Sequence, residues 1–286
     1  TYYLLYPSLQ TLFTFFPPDM IVEIYTFILL EMKIIFYSRD LNRLSFCVLA
    51  ATNLVKTLSI EAKIYPVFPT FDNFKDAFDT PFISVFGYPD IVTNKSPLYS
   101  KFDVIIDIDN HSFVKKPKCP TLPNSQFLIS NIEKKLNESE QKIRILPKLS
   151  FEKILENQRK SPLLFNPKGK INDNIYPDCF RYFAETKYAF SSEIIQYILN
   201  LFDTIPFIEY DSENKPVPII DKVMLCMVTD STNPDCPVSV FNREIFINLY
   251  NHDRDFMEQF IHTQIFYQYI NKIEGKCQKD KSLKAL

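Results

Sequence analysis

Asp107 and Asp109 are the residues whose type and spacing come closest to doing chemistry: two carboxylates in the run Asp103-Val-Ile-Ile-Asp-Ile-Asp109. Such a pair can hold Mg²⁺ through oxygen ligands. Their setting argues otherwise. They alternate with Ile106 and Ile108, the period of a strand, which turns both toward the polar face of a sheet. The three histidines, His111, His252 and His262, lack the cysteine or acidic neighbours that complete a zinc site. On a continuous helix His252 and His262 would point about 80° apart. No Gly-x-Ser-x-Gly run supports a serine nucleophile. With three glycines in 286 residues, the chain cannot build the turns that bring backbone close to a phosphate in P-loop or dinucleotide sites. These residues predict no covalent chemistry, no cofactor and no metal. They point to an interaction protein.

Bulk composition agrees. Hydrophobic residues make up 46% and charged residues 23% of the chain, the balance of a globular protein with enough length for an unstapled core. A formal net charge of −2 provides no basic field for nucleic acid or acidic lipid. The most apolar window, Met20–Tyr37, carries Glu23, Glu31 and Lys33 and does not read as a membrane span. The first residues lack the basic start and small-residue cleavage site of a signal peptide. Six scattered cysteines without a Cys-x-x-Cys pair read as reduced, mostly buried thiols. A cytoplasmic location is expected.

The elements that must position these residues follow from pattern. Residues 1–16 read as the end of an apolar element that begins upstream. Pro17-Pro18-Asp19 opens a helix with Asp19 able to cap it, and Ile21, Ile24, Tyr25, Ile28 and Met32 recur at helical spacing to about Lys33. Ile34–Ser38 is short and wholly apolar before its serine, the pattern of a buried strand. Asp40 caps a second helix, with Leu41, Leu44, Val48, Ala51, Val55 and Leu58 on one face. Ile64–Phe68, Phe82–Phe86 and Asp103–Asp109 read as further strands. Alternating strands and helices predict an α/β fold, a central mixed sheet flanked by helices.

Beyond Asp109 the texture changes. Residues 114–124 are rich in proline and lysine. Residues 125–160 carry both charge signs interspersed, the pattern of solvated helices. Residues 161–177 are again rich in loop formers. Helices are predicted over Phe180–Tyr188, Ser191–Phe202, Ile219–Met227, Phe241–Tyr250 and Asp253–Ile273, with loops over 203–218 and 229–239. The expected division is a central α/β region over 1–113, a linker with charged helices over 114–177, an all-helical C-terminal subdomain over 178–275, and a disordered tail over 276–286.

Taken together, these fragments resemble the DENN domain. Leu29-Leu30-Glu31 matches that family's LLxE helix end, and Ile34-Ile35-Phe36-Tyr37-Ser38 its ILFxS strand. Leu41 to Leu58 matches the helix that follows. Tyr65-Pro66-Val67-Phe68-Pro69 is similar to YxPxLP, shortened and with Phe for Leu. Thr80-Pro81-Phe82-Ile83-Ser84-Val85-Phe86-Gly87 is similar to TPFxIG with one extra residue. Ile106-Asp107-Ile108-Asp109 stands for VDLD. Downstream, Val240 to Phe246 resembles FDxxxF. Phe256 to Ile270 resembles a closing helix of the type FLxxFLxTQxFxxFI, with Thr263, Gln264 and Phe266 in place. Two departures stand out. The aromatic PFxWxH stretch is replaced by Leu58–Lys63 with no Trp, and the family's longin-like lobe is either missing or lies upstream of this sequence.

The resemblance implies a guanine-nucleotide exchange factor for a Rab-type small GTPase in membrane trafficking, binding the nucleotide-free form preferentially. It implies vesicle membranes reached through partners, and a need for the upstream lobe. The alternative within the family is a non-exchanging scaffold in a heterodimeric GTPase-regulating complex. Loops after strands are where such folds meet ligands and partners, which selects Arg39, Asp40, Tyr65, Thr80, Pro81 and Phe82 as partner-binding candidates. Each also has a structural reading. Asp40 is a helix cap, Pro66 and Pro69 fix a strand exit, and Thr80-Pro81-Phe82 is either a packing turn or a contact. Glu31 is read as an ion-pair partner for Lys33 or Arg39.

Overall fold

The computed structural model describes residues 2–55, 63–68, 84–145, 192–210, 216–218, 226–230, 238–249 and 253–271. Helix α1 (Tyr2–Phe15) and helix α2 (Pro18–Leu29) meet at a 118° bend. The bend is dictated by Pro17-Pro18: the first proline has extended backbone, and the second sits inside the helix start, where its missing N–H costs nothing. The predicted Asp19 cap is therefore corrected. Asp19 lies within the first turn, makes no cap bond and complements the helix dipole instead. The helix also stops earlier than Lys33, at Leu29. Met20, Ile21, Val22, Ile24, Tyr25, Phe27 and Ile28 are all buried. No single helix among the described residues is long and apolar enough to cross a membrane.

Strands β1 (Ile34–Tyr37), β2 (Lys63–Tyr65), β3 (Ser84–Tyr88), β4 (Val104–Asp107) and β5 (Ser112–Lys115) form one sheet in the order β2-β3-β1-β4-β5. The first four are parallel, and β5 is antiparallel to β4. Helix α3 (Leu41–Asn53) follows β1. Central position explains the unbroken Ile-Ile-Phe-Tyr of β1: Ile34 pairs with Val85 on one side and Val104 on the other, and every residue of the strand is buried. The predicted strands are present with shifted ends, and β5 was not expected. Lys115 belongs to that strand rather than to a linker.

Strand alternation divides the core in two. Ile34, Phe36, Val85, Val104 and Ile106 join the large cluster formed with α1, α2 and α3. Ile35, Tyr37, Phe86 and Ile105 face the other way, onto Phe68, Val92, Leu98 and Phe102. Gly87 is needed at the exit of β3: a β-carbon there would lie 2.1 Å from the Pro66 carbonyl oxygen and 2.9 Å from Leu44 Cγ. The close passage lets Phe68 N–H bond the Gly87 carbonyl at 2.6 Å.

Helix α4 (Ser125–Ile145) is charged, yet Leu128, Ile132 and Leu136 recur at four-residue intervals and are buried, so one face packs. Helix α5 (Ser192–Thr204) completes this layer. Tyr25 Oη donates to the Phe202 carbonyl at 2.9 Å, tying α2 to α5.

The C-terminal region is helical but not purely so. It holds two short antiparallel pairs, β6 (Ile208–Tyr210) with β7 (Pro216–Pro218), and β8 (Met227–Asp230) with β9 (Val238–Phe241). These strands fall in the predicted loops 203–218 and 229–239 and at the ends of two predicted helices, Ile219–Met227 and Phe241–Tyr250. Helix α6 (Arg243–Leu249) follows. The single helix expected over Asp253–Ile273 is two helices, α7 (Arg254–Phe260) and α8 (264–271), broken at 261–263. Thr263 causes the break: its hydroxyl accepts the Phe266 N–H at 3.2 Å and starts the helix afresh. Phe246, Phe256, Phe260 and Phe266 are buried and pack ring to ring, with 5.3 Å between Phe260 and Phe266. The helix predicted over Phe180–Tyr188 lies outside the described residues.

Candidate functional site

The carboxyl ends of the parallel strands share one sheet edge, and there the polar residues of β1 and β4 meet. Tyr37 Oη donates to Asp107 Oδ2 at 2.5 Å, and Asn110 donates to the same carboxylate through its backbone N–H and its side-chain amide, at 3.0 and 2.7 Å. Asp107 is only 5% exposed, which corrects the polar-face reading of this strand. Burial pushes its carboxyl up, but the Tyr37 and Asn110 bonds outweigh that and hold it below the usual 3.8. The Tyr37 hydroxyl is pushed up by burial and by the same Asp107 carboxylate.

A second carboxylate organises the turn after β1. Ser38 Oγ donates to Asp109 Oδ1 at 2.7 Å, and the Arg39 N–H donates to Asp109 Oδ2 at 3.1 Å. Ser38 Oγ also accepts the Asp40 N–H at 3.0 Å. Asp40 caps α3 as expected, accepting Asn42 and Arg43 N–H groups at 2.9 and 3.0 Å. Arg43 lies 3.5 Å from the Asp40 carboxylate and 3.9 Å from Asp109, with its guanidinium 4.8 Å over the Phe15 ring. His111 stacks on Phe15 at 5.5 Å and bonds its carbonyl through Nδ1.

This arrangement can fix the shape of an edge. Asp107 accepts from Tyr37 and Asn110 and Asp109 from Ser38 and Arg39, and no group of His, Cys, Asp or Glu with metal-ligand potential occurs among the described residues. Arg39 and Leu41 project outward, Leu41 at 51% exposure. Tyr65, at the end of edge strand β2, stacks on Phe86 at 5.1 Å and meets Phe68 edge-on, leaving one side in solvent. The structure thus gathers Arg39 and Asp40 at the exit of β1 and sets Tyr65 along the same sheet edge. Thr80, Pro81 and Phe82 lie outside the described residues. Sequence reasoning missed Ser38, Arg43, Asn110 and His111 as members of this network.

Glu31 is also reassigned. Its Oε1 accepts the Ile265 N–H at 2.8 Å, so its partner is the start of α8 rather than Lys33 or Arg39. A groove of about 490 Å³ runs between α2 and residues 116–122. Glu23 and Lys116 on its wall pair at 2.8 Å, and none of its lining residues belongs to the sheet edge. Cys119 on this wall is a free thiol raised to about 11, chiefly by burial.

A mixed, mostly parallel sheet flanked by helices, with its carboxyl edge tied by side-chain hydrogen bonds, defines an α/β module. The family model of the DENN (AEX-3) domain matches residues 6–111, from α1 to the turn after β4. Over that stretch the chain is similar to the DENN family. No curated protein matches the chain.

Proposed function

We propose that this protein is a guanine-nucleotide exchange factor for a Rab-type small GTPase. The DENN match over residues 6–111 carries this reading, because DENN domains are associated with GTPases of that type. The exposed residues at the carboxyl edge of the sheet, Arg39 and Tyr65, are its contact surface, with Thr80, Pro81 and Phe82 assigned to the same surface from their sequence motif. Exchange needs no covalent step. The protein binds the nucleotide-free GTPase more tightly than the loaded one, and by linkage the nucleotide then binds the complex more weakly by the same factor. Recruitment to vesicle membranes follows from the GTPase partner.

The test is release of fluorescent GDP from a panel of Rab-type GTPases by this chain. Acceleration for one or a few members, with tightest binding to the nucleotide-free form, supports the proposal. Equal affinity for empty, GDP-bound and GTP-bound forms across the panel cannot shift the equilibrium. That outcome selects the non-exchanging scaffold.

A further inference from the structure

Glu31 occupies a backbone position that suits glycine. Helix α2 ends with Glu31 N–H bonded to the Ile28 carbonyl and Met32 N–H bonded to the Phe27 carbonyl, both at 3.0 Å. This is the Schellman pattern, whose middle residue takes a left-handed conformation. Glu31 has φ of 58°. A β-carbon there crowds the next carbonyl, so glycine is locally favoured and glutamate is not. A residue held against its local preference signals a second task for its side chain.

That task is visible across the fold. The Glu31 carboxylate accepts the Ile265 N–H at 2.8 Å and lies near enough to the Gln264 N–H for that group also to favour its charged form. These are the opening N–H groups of α8, which have no partner within their own helix. Thr263 Oγ1 takes the Phe266 N–H. Helix α8 is therefore capped twice, by its own threonine and by a glutamate 234 residues earlier. The break at 261–263 makes this geometry, since a continuous helix would leave no free N–H groups at Gln264 and Ile265. Ile265, Phe266 and Ile270 are buried in the main core cluster and supply apolar contact, while the carboxylate sets where the helix begins.

We infer that Glu31 is a latch that docks α8 onto the end of α2, so that α8 opens and closes as a unit separate from the sheet. With the latch closed, the rings of Phe260 and Phe266 are covered; with it released, that aromatic surface meets solvent.

Hydrogen exchange on the 286-residue chain tests this with three variants. Glu31→Gly relieves the backbone and removes the latch. Exchange over 264–271 should rise roughly five- to tenfold, the size of a lost helix cap, while 18–29 and 34–37 keep their protection. Glu31→Gln retains an acceptor oxygen and should keep most of the protection of α8. Gln264→Pro removes one donor at a first helical position, where proline is tolerated. It should loosen α8 in the wild-type background and add little to Glu31→Gly. The inference is overturned if Glu31→Gly leaves α8 protected, if it exposes α2 and β1 equally, if Glu31→Gln loosens α8 as much as glycine does, or if Gln264→Pro acts independently of Glu31.

Discussion

Asp107 and Glu31 are shifted in opposite directions, and the chain's response to pH should separate them. Asp107 is held below 3.8 in the fold. As pH falls, the unfolded chain takes up this proton first, so the stability Asp107 contributes above 3.8 is lost as pH drops through its folded value. Burial raises Glu31 above its ordinary 4.5, against the N–H groups of Ile265 and Gln264 that pull it down. Its folded form keeps the proton longer, so stability falls as pH rises through the interval above 4.5. Denaturant titrations should show Asp107→Asn with a shallower acid limb than wild type, and Glu31→Gln without the loss above that value. Parallel curves for either pair would contradict the assignment. At this scale Asp40 was legible from sequence because capping is local, reaching Asn42 and Arg43. Asp109 and Glu31 were not, because their partners lie 70 and 234 positions away.

The elements divide by how strongly burial marks them. The central strand β1 was legible as an unbroken apolar run, and α2 and α3 by periodicity. Edge strand β5 is Ser-Phe-Val-Lys with no residue fully buried, so it carries no such mark. Strands β6 to β9 have only three or four residues each, and β7 begins and ends with proline. The α7–α8 break has neither glycine nor proline to announce it, and its Thr263 falls inside the pattern that resembles one closing helix. Two substitutions test the packing. Gly87→Ala must displace the Pro66 backbone or Leu44, at a cost of about 1–3 kcal/mol; an unchanged chemical-denaturation midpoint would refute that close passage. Phe260→Ala or Phe266→Ala, at 2% and 1% exposure, should each cost roughly 3–5 kcal/mol, read as a lower Tm. The family fragments from Leu29 to Asp109 all fall within residues 6–111, where the DENN match lies.

For the whole molecule the sharpest prediction concerns the sheet edge. Arg39→Glu leaves the Arg39 N–H bond to Asp109 in place and reverses an exposed charge. It should slow the GDP release that this protein stimulates from its GTPase, while Tm stays within about 1 °C of wild type, as expected for a surface change of small stability effect. Unaltered exchange would remove Arg39 from the contact surface. The fold class was legible because strands and helices alternate, but the composition of that edge was not, because it is assembled from two strand exits. The reach of Glu31 to Ile265 also has a consequence for synthesis. At roughly 5–20 residues per second, the 234 positions between them take about 10–50 s to translate. Throughout that interval the residues of α2 have been made while the helix that closes over its end has not. The apolar surface destined for Ile265, Phe266 and Ile270 stays open to water and to chaperones until residues 264–271 leave the ribosome. A nonsense codon ahead of residue 264 would leave it open for good.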